Sequence, residues 1–213
     1  MTEHRIFAAI YDRLLADSEK GGLRDMRSEL LRGASGRTLE LGAGTGHNLP
    51  HYTGAVTELV LSEPDRFMAA RLRKHLEVEP PAATAVEVVA APAEQLPFED
   101  GGFDTVVSTL VFCTVDDPER AAAEARRVLR PDGRLLYLEH VRSPDSARLA
   151  RWQDRLERPW VWFAGGCHPN RPTGDVLPAA GLEVERSRRD SFPKTGWTPW
   201  VQPLIIGSAR PAA

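Results

Sequence analysis

Residues 37–48 read RTLELGAGTGHN. The first five form a short strand with a carboxylate, Glu40, near its end. Three glycines follow at two-residue spacing, Gly42, Gly44 and Gly46. Glycine tolerates positive φ and lets a backbone approach a ligand closely. A loop of this kind is expected to open a helix whose first N–H groups attract an anion, while Glu40 would face a cation. The rival reading is a dinucleotide loop, GxGxxG. That pattern wants a glycine at 47, where this chain has His47.

Around this segment, strands and helices alternate. Strands are expected at 37–41, 58–62, 85–90, 103–108 and 133–140, with helices at 65–76 and 118–129 and a turn at Pro131, Asp132 and Gly133. This rhythm signals βαβ units and a parallel sheet. Two further strands, 182–190 and 204–209, are joined by a loop without a helix, the pattern of an antiparallel hairpin. Pro203 cannot donate to a ladder, so the last strand should begin after it. The expected fold is α/β: a Rossmann-like, doubly wound, mostly parallel seven-stranded sheet with an antiparallel C-terminal hairpin. Two helices precede it, at 5–16 and from Leu23 to about Gly33. Residues 141–181 carry Trp152, Trp160, Trp162, Phe163 and the run GGCHPNRP, and read as one helix and an irregular lid.

The chain has 213 residues, 42% hydrophobic and 27% charged, with net charge −3 and pI near 6.1. That fits a single domain over 1–213, with 1–33 covering the ligand and 141–181 inserted as a cap. Nothing suggests nucleic acid as an obligatory partner. Cys113 and Cys167 are read as free thiols in a reducing cytoplasm. No metal site is expected. The apolar run at 6–11 is too short for a signal sequence, and no span of about 20 apolar residues is present. A cytoplasmic monomer or homodimer is expected.

Glu63 stands at the end of the second strand. A carboxylate there can accept hydrogen bonds from a ribose diol. Phe67 and Met68 follow, placed for an adenine face or simply for the core.

The runs APAEQLPF (91–98), GFD (102–104) and VLRPDG (128–133), together with the glycine loop, resemble class I methyltransferases of the ubiquinone/menaquinone type over residues 36–140. A second resemblance runs from about Tyr11 to the end. STLVFCTV (108–115), EHV (139–141), Trp152-Gln153, Pro159-Trp160 and Gly166-Cys167 are similar to the small animal alkyl-thiol methyltransferases. Those proteins begin with a hydrophobic anchor, which this chain is read as lacking.

The resemblance implies S-adenosylmethionine as cofactor, S-adenosylhomocysteine as product and a small-molecule methyl acceptor. The loop then takes the methionine carboxylate and Glu40 the ammonium. His47, Asn48, Pro64, Thr109 and Leu110 join the expected cofactor contacts. An Asp is common where Pro92 stands, which leaves Ala93 or Glu94 for the adenine. Tyr11 is expected to cover the sulfonium or to pack in its helix. His140, at the carboxyl edge of a strand, and His168, in the lid, are the candidates for assisting deprotonation. Cys113, Trp152, Gln153, Trp160 and Cys167 are expected to line the acceptor pocket. No carboxylate–histidine pair stands out in the sequence, which suits a thiol. The alternatives are O-, N- or C-methylation of a quinone, phenol or lipid headgroup, a non-catalytic cofactor-binding protein, and a nicotinamide oxidoreductase.

Overall fold

The computed structural model describes residues 16, 18–192 and 198–212. Tyr11 and all but the last residue of the helix read at 5–16 lie outside the described residues.

Seven strands form one sheet: β1 (Gly36–Leu41), β2 (Val56–Ser62), β3 (Ala85–Val89), β4 (Phe103–Thr109), β5 (Leu129–His140), β6 (Leu182–Ser191) and β7 (Pro203–Pro211). Their order is β3-β2-β1-β4-β5-β7-β6. The first five pair in parallel, while β7 pairs antiparallel with both β5 and β6. The chain winds one way from β1 to β3 and the other way from β4, so the crevice between β1 and β4 is the switch point where open α/β sheets bind ligands.

Side chains alternate across the strands and build two cores. Leu39, Leu41, Val106, Leu135 and Tyr137 face helix α3 (Pro118–Val128) and Phe112. Leu59, Leu61, Val107, Leu136 and Leu138 pack with Leu23 and with Leu30 and Leu31 of helix α1 (Arg24–Leu31). Polar side chains fix the helix starts. Asp65 caps α2 (Arg66–Val78) by accepting from the amides of Phe67 and Met68, and Asp117 caps α3 by accepting from Arg120 N. A cap of this kind contributes about 1 kcal/mol.

Three expectations change. Strand β5 begins at Leu129 and not at 133, because residues 130–133 form an irregularity in its pairing with β4 and not a break in the strand. Pro203 is the first residue of β7, where its missing N–H costs little; its carbonyl accepts from Val141 N at 3.0 Å. The cap region holds two helices, α4 (Ala147–Phe163) and α5 (Thr173–Ala179), not one. The second is a seven-residue helix whose Val176 and Leu177 are buried, too short to show a helical period in the sequence. Among the described residues, no helix is long and apolar enough to cross a membrane.

Candidate active site

The glycine loop follows β1 directly. Gly42, Gly44 and Gly46 all take positive φ, at 54°, 59° and 95°. The requirement is sharpest at Gly46, where an added Cβ would lie 2.8 Å from Leu49 Cδ1 and 2.9 Å from Leu72 Cδ1. The loop leads into a single 3₁₀ turn, Leu49–His51. This corrects the expected helix. A three-residue turn has little dipole, and within the loop the amides of Ala43, Gly44 and Gly46 already donate to Ser62 O, Glu63 and Ala43 O.

Glu40 lies buried beneath the loop. Asn48 Nδ2 donates to its Oε1 at 3.0 Å and Tyr52 OH to its Oε2 at 2.6 Å. Burial raises its pKa to about 7, although both hydrogen bonds and the charge of Arg27 oppose the shift. Asn48 also donates to Thr109 Oγ1 at 2.9 Å and accepts from the buried Arg27 at 2.9 Å, whose Nε donates to Glu19 at 3.0 Å. Arg27, Glu40, Gly42, His47, Asn48 and Thr109 line one small polar pocket. A buried guanidinium and a buried carboxylate at one loop present opposite charges within one site.

Glu63 is also buried. Its two oxygens accept from Gly44 N and Asp65 N, both at 2.8 Å, and thereby tie the glycine loop to the end of β2. Burial raises its pKa, against the effect of those two amides. Each oxygen keeps a second lone pair for a hydroxyl donor. Pro64, which follows Glu63, is half-buried, and Met68 and, after β3, Ala93 are buried. Glu94 is held differently. Its Oε1 accepts from the amides of Asp116 and Asp117 at 2.9 and 3.4 Å, and its buried Oε2 meets no partner.

The ends of β4 and β5 carry the second half of the site. Leu110 has φ +61°, a strained value for a branched side chain. The fully buried Glu139 organises this turn: its oxygens accept from Ser108 Oγ at 2.7 Å, Val111 N at 3.0 Å and Cys113 N at 3.3 Å. The turn brings Cys113 Sγ within 3.8 Å of Cys167 Sγ, both thiols buried and free. The hydrogen-bonding contact with Cys167, burial and the nearby Glu139 hold the Cys113 thiol well above its ordinary pKa.

His140 lies on the same sheet face as Glu40 and Thr109, as the strand registers require. The residue keeps some exposed surface, but its Nδ1 is enclosed and has no partner. Burial lowers its pKa to about 4, despite backbone hydrogen bonding at Pro203 and Val201. His168 is a different case. Its N–H donates to Cys113 O at 2.7 Å, and its Nδ1 lies 2.8 Å from Glu157 Oε1 on α4. A carboxylate–histidine pair therefore exists after all. Its members sit on a helix and on the loop beyond it, so no sequence spacing announces them.

The lid separates residues expected to act together. Gln153 is fully buried and saturated. Its amide nitrogen donates to the carbonyls of Val141, Pro169 and Trp200 at 2.8–3.0 Å, and its oxygen accepts from Ser143 N at 2.7 Å. This leaves nothing for an acceptor, and the residue pins the lid instead. Trp152 is 46% exposed, on the outer side of α4, and is not brought to the site. Trp160 turns inward, edge-on to Trp200 at 6.1 Å, with its buried Nε1 unpaired.

A methyltransferase-domain family model matches residues 39–137. The human thiol S-methyltransferase TMT1B is 36% identical over 197 residues, covering 87% of this chain and 77% of that protein. The chain belongs to the class I S-adenosylmethionine-dependent methyltransferases. The ubiquinone/menaquinone biosynthesis C-methyltransferase UbiE of Ectopseudomonas mendocina is 33% identical, covering 74% of this chain and 64% of its own. Among solved structures, a SAM-dependent methyltransferase of Thermotoga maritima, described as a possible histamine N-methyltransferase, superposes with TM-score 0.68 at 25% identity, covering 97% and 98% of the two chains.

S-adenosylmethionine is thus the cofactor of this methyltransferase, and the donor set fits it. A zwitterionic amino-acid end requires both charges close together, which Arg27 and Glu40 provide. The diol requires an acceptor, and the spare lone pairs of Glu63 suit that demand. Sequence reasoning missed Arg27, Tyr52 and Glu139 in the methyltransferase site. Arg27 had a signal: four residues after Leu23 and one after Met26, it lies on the apolar stripe of α1, where an exposed arginine would not be placed. Glu139 had only its neighbourhood, a carboxylate directly after the run Leu135–Leu138.

Proposed function

We propose that this methyltransferase transfers its methyl group to the sulfur of a small apolar thiol. In this reading Gly42, Gly44 and Gly46 let the cofactor's amino-acid end approach the backbone closely, and the buried Arg27 faces its carboxylate, because the amides of Gly44 and Gly46 already donate to Glu63 and Ala43. Glu40, set by Asn48 and Tyr52, receives the ammonium, and Glu63 the ribose diol. Backbone at Ala93, with Glu94, receives the adenine between Pro64 and Met68. His47, Thr109 and Leu110 complete the wall. Bound there, the cofactor supplies an electrophilic methyl group on a sulfonium. Residues 141–181 act as the lid on the acceptor side, with Cys113, Cys167 and Trp160 toward the acceptor.

The observation that carries the reading is the weakness of His140 as a base, at about 4. Taking a proton from a thiol of pKa ~8.5 would be uphill by ~4.5 units, about 6 kcal/mol; from a phenol of pKa ~10 it would be about 8 kcal/mol. A thiol avoids the problem, because one pH unit below its pKa about a tenth is already thiolate. The protein then has only to align and desolvate that anion. The relative named a thiol S-methyltransferase, alike through the lid as well as the cofactor loop, supports the same reading.

One observation favours a second reading. The pairing of His168 with Glu157 has the form of an oriented base, which would suit a phenol. A paired assay separates the two. A hydrophobic thiol and its oxygen isostere are compared by kcat/KM across pH 6 to 9. The thiol should be preferred, with turnover rising toward its own pKa, and His168→Ala should leave it within tenfold. Preference for the phenol, collapsing in His168→Ala, would overturn the thiol reading and install the second.

A further inference from the structure

Helix α4 carries more than the lid's inner wall. Placed at 100° per residue, Arg148, Arg151, Arg155 and Arg158 fall with Trp152, Trp162 and Phe163 in one sector of roughly 140°. Only Pro159 shares that sector. All of these residues are exposed, Trp162 to 87% and Phe163 to 53%. The acidic residues of the helix lie elsewhere. Asp154 pairs with Arg142, and Glu157 turns to His168. None of the four arginines meets a carboxylate among the described residues. The chain as a whole is net −3, so this face runs against the charge of its own molecule.

We propose that the outer face of α4 is a docking surface for an anionic lipid bilayer, on which the enzyme rests peripherally. Two large aromatics on one turn of a folded helix, exposed beside four cations, match what an interface rewards. Aromatic rings settle at headgroup depth, while arginine stems lie along apolar surface with their heads at the phosphates. Each cation adds attraction to an anionic leaflet, and that attraction is screened by salt. A nucleic acid would use the arginines as well, but stacking of bases calls for a groove that follows a strand. This face is the convex side of a single helix. The inner side of the same helix carries Gln153 and Trp160, so docking would set the lid against the phase where an apolar acceptor dissolves. The proposal holds whichever atom accepts the methyl.

The test uses the full chain in flotation with vesicles of phosphatidylcholine alone and with about one-third phosphatidylglycerol. Wild type should partition at least tenfold more strongly to the anionic vesicles, and lose that preference as salt is raised. The double variant Trp162→Ser/Phe163→Ser should lose binding by tenfold or more. Arg151→Gln/Arg155→Gln/Arg158→Gln should lose the preference for anionic lipid. Because these side chains are exposed, unchanged cofactor binding serves as the folding control. Equal partitioning by wild type and the aromatic variant would overturn the proposal. So would displacement of wild type from anionic vesicles by a short single-stranded oligonucleotide that the aromatic variant binds equally well, which would make the face a site for nucleic acid.

Discussion

The cofactor cradle and the lid are built in opposite ways. The cradle spends buried polar groups on one another: Glu40, Asn48, Tyr52 and Arg27 form a continuous chain of hydrogen bonds, and Glu63 ties the loop to the next strand. Residues 141–181 are instead held by separate side chains that each bond to main-chain carbonyls: Gln153 to Val141, Pro169 and Trp200, Arg171 to Phe112, and Thr173 to His140. Networks with every partner supplied make a rigid site. The part proposed to bind the cofactor is thus held by one connected network, and the part proposed to meet the acceptor by independent attachments.

The largest expected effect breaks the cradle. In Gly46→Val the new side chain meets Leu49 and Leu72 at under 3 Å in a left-handed backbone. Left-handed strain of about 1–2 kcal/mol and overpacking of about 1–3 kcal/mol together predict a loss of about 2–5 kcal/mol. Tm should fall by roughly 5–20 °C, and calorimetry should show no binding of S-adenosylhomocysteine. A variant that keeps both Tm and binding would mean that the loop is far softer than its contacts imply.

Next in size is Glu63→Ala. Removing an acceptor for charged hydrogen bonds should weaken S-adenosylhomocysteine by about 1.5–3 kcal/mol, or roughly 10- to 150-fold, with NADH still not binding. Unchanged affinity in a folded variant would move the ribose contact elsewhere.

The contrast also explains what could be read from the sequence. Glu40 and Glu63 were legible because a strand end fixes where a side chain points, and their spacing reports the βαβ geometry. The seven strands were legible for the same reason, by alternation and turn chemistry. The lid had no such ruler. Gln153 looked like a pocket residue because its partners, the carbonyls of Val141, Pro169 and Trp200, are scattered along the chain. His168 and Glu157 meet only after the helix ends and the loop folds back. Trp152 and Trp160 read alike as pocket residues because composition gives the density of aromatics and not their direction. The helical period already contained part of the answer, since it sets Trp152 and Trp162 among the arginines and Trp160 on another side.

A third experiment sharpens the comparison at the lid. Gln153→Leu keeps the bulk but leaves buried carbonyls and the Ser143 amide without partners, at about 1–3 kcal/mol for each uncompensated group. Hydrogen exchange over 141–181 should quicken by tenfold or more, while exchange in β1, β2 and β4 stays as in wild type. Equal acceleration in the sheet would show that lid and cradle open as one unit, and the distinction between them would fail.

The smallest effect, and the one most specific to the cradle, is a pH dependence carried by Glu40. Burial sets its pKa at about 7 in the free protein, above the ordinary 4.5 of a glutamate. A raised folded pKa gives stability that is fully present below the unfolded value and lost as pH rises through the folded one. On Glu40's account, the free protein should therefore lose stability between about pH 4.5 and 7. A bound ammonium reverses the preference by favouring the carboxylate, so in the proposed site cofactor binding below pH 7 releases a proton from Glu40. The Kd for S-adenosylhomocysteine should fall as pH rises from 6 to 7, by no more than about tenfold for one proton, and flatten toward pH 8. Calorimetry in buffers of different ionisation enthalpy would count the proton directly. Glu40→Gln should bind more weakly and with no slope, because an amide neither titrates nor carries charge. The variant is therefore the deciding control. A slope that persists in Glu40→Gln would assign the proton to a histidine, and a flat wild-type profile would mean that Glu40 is already ionised before the cofactor arrives.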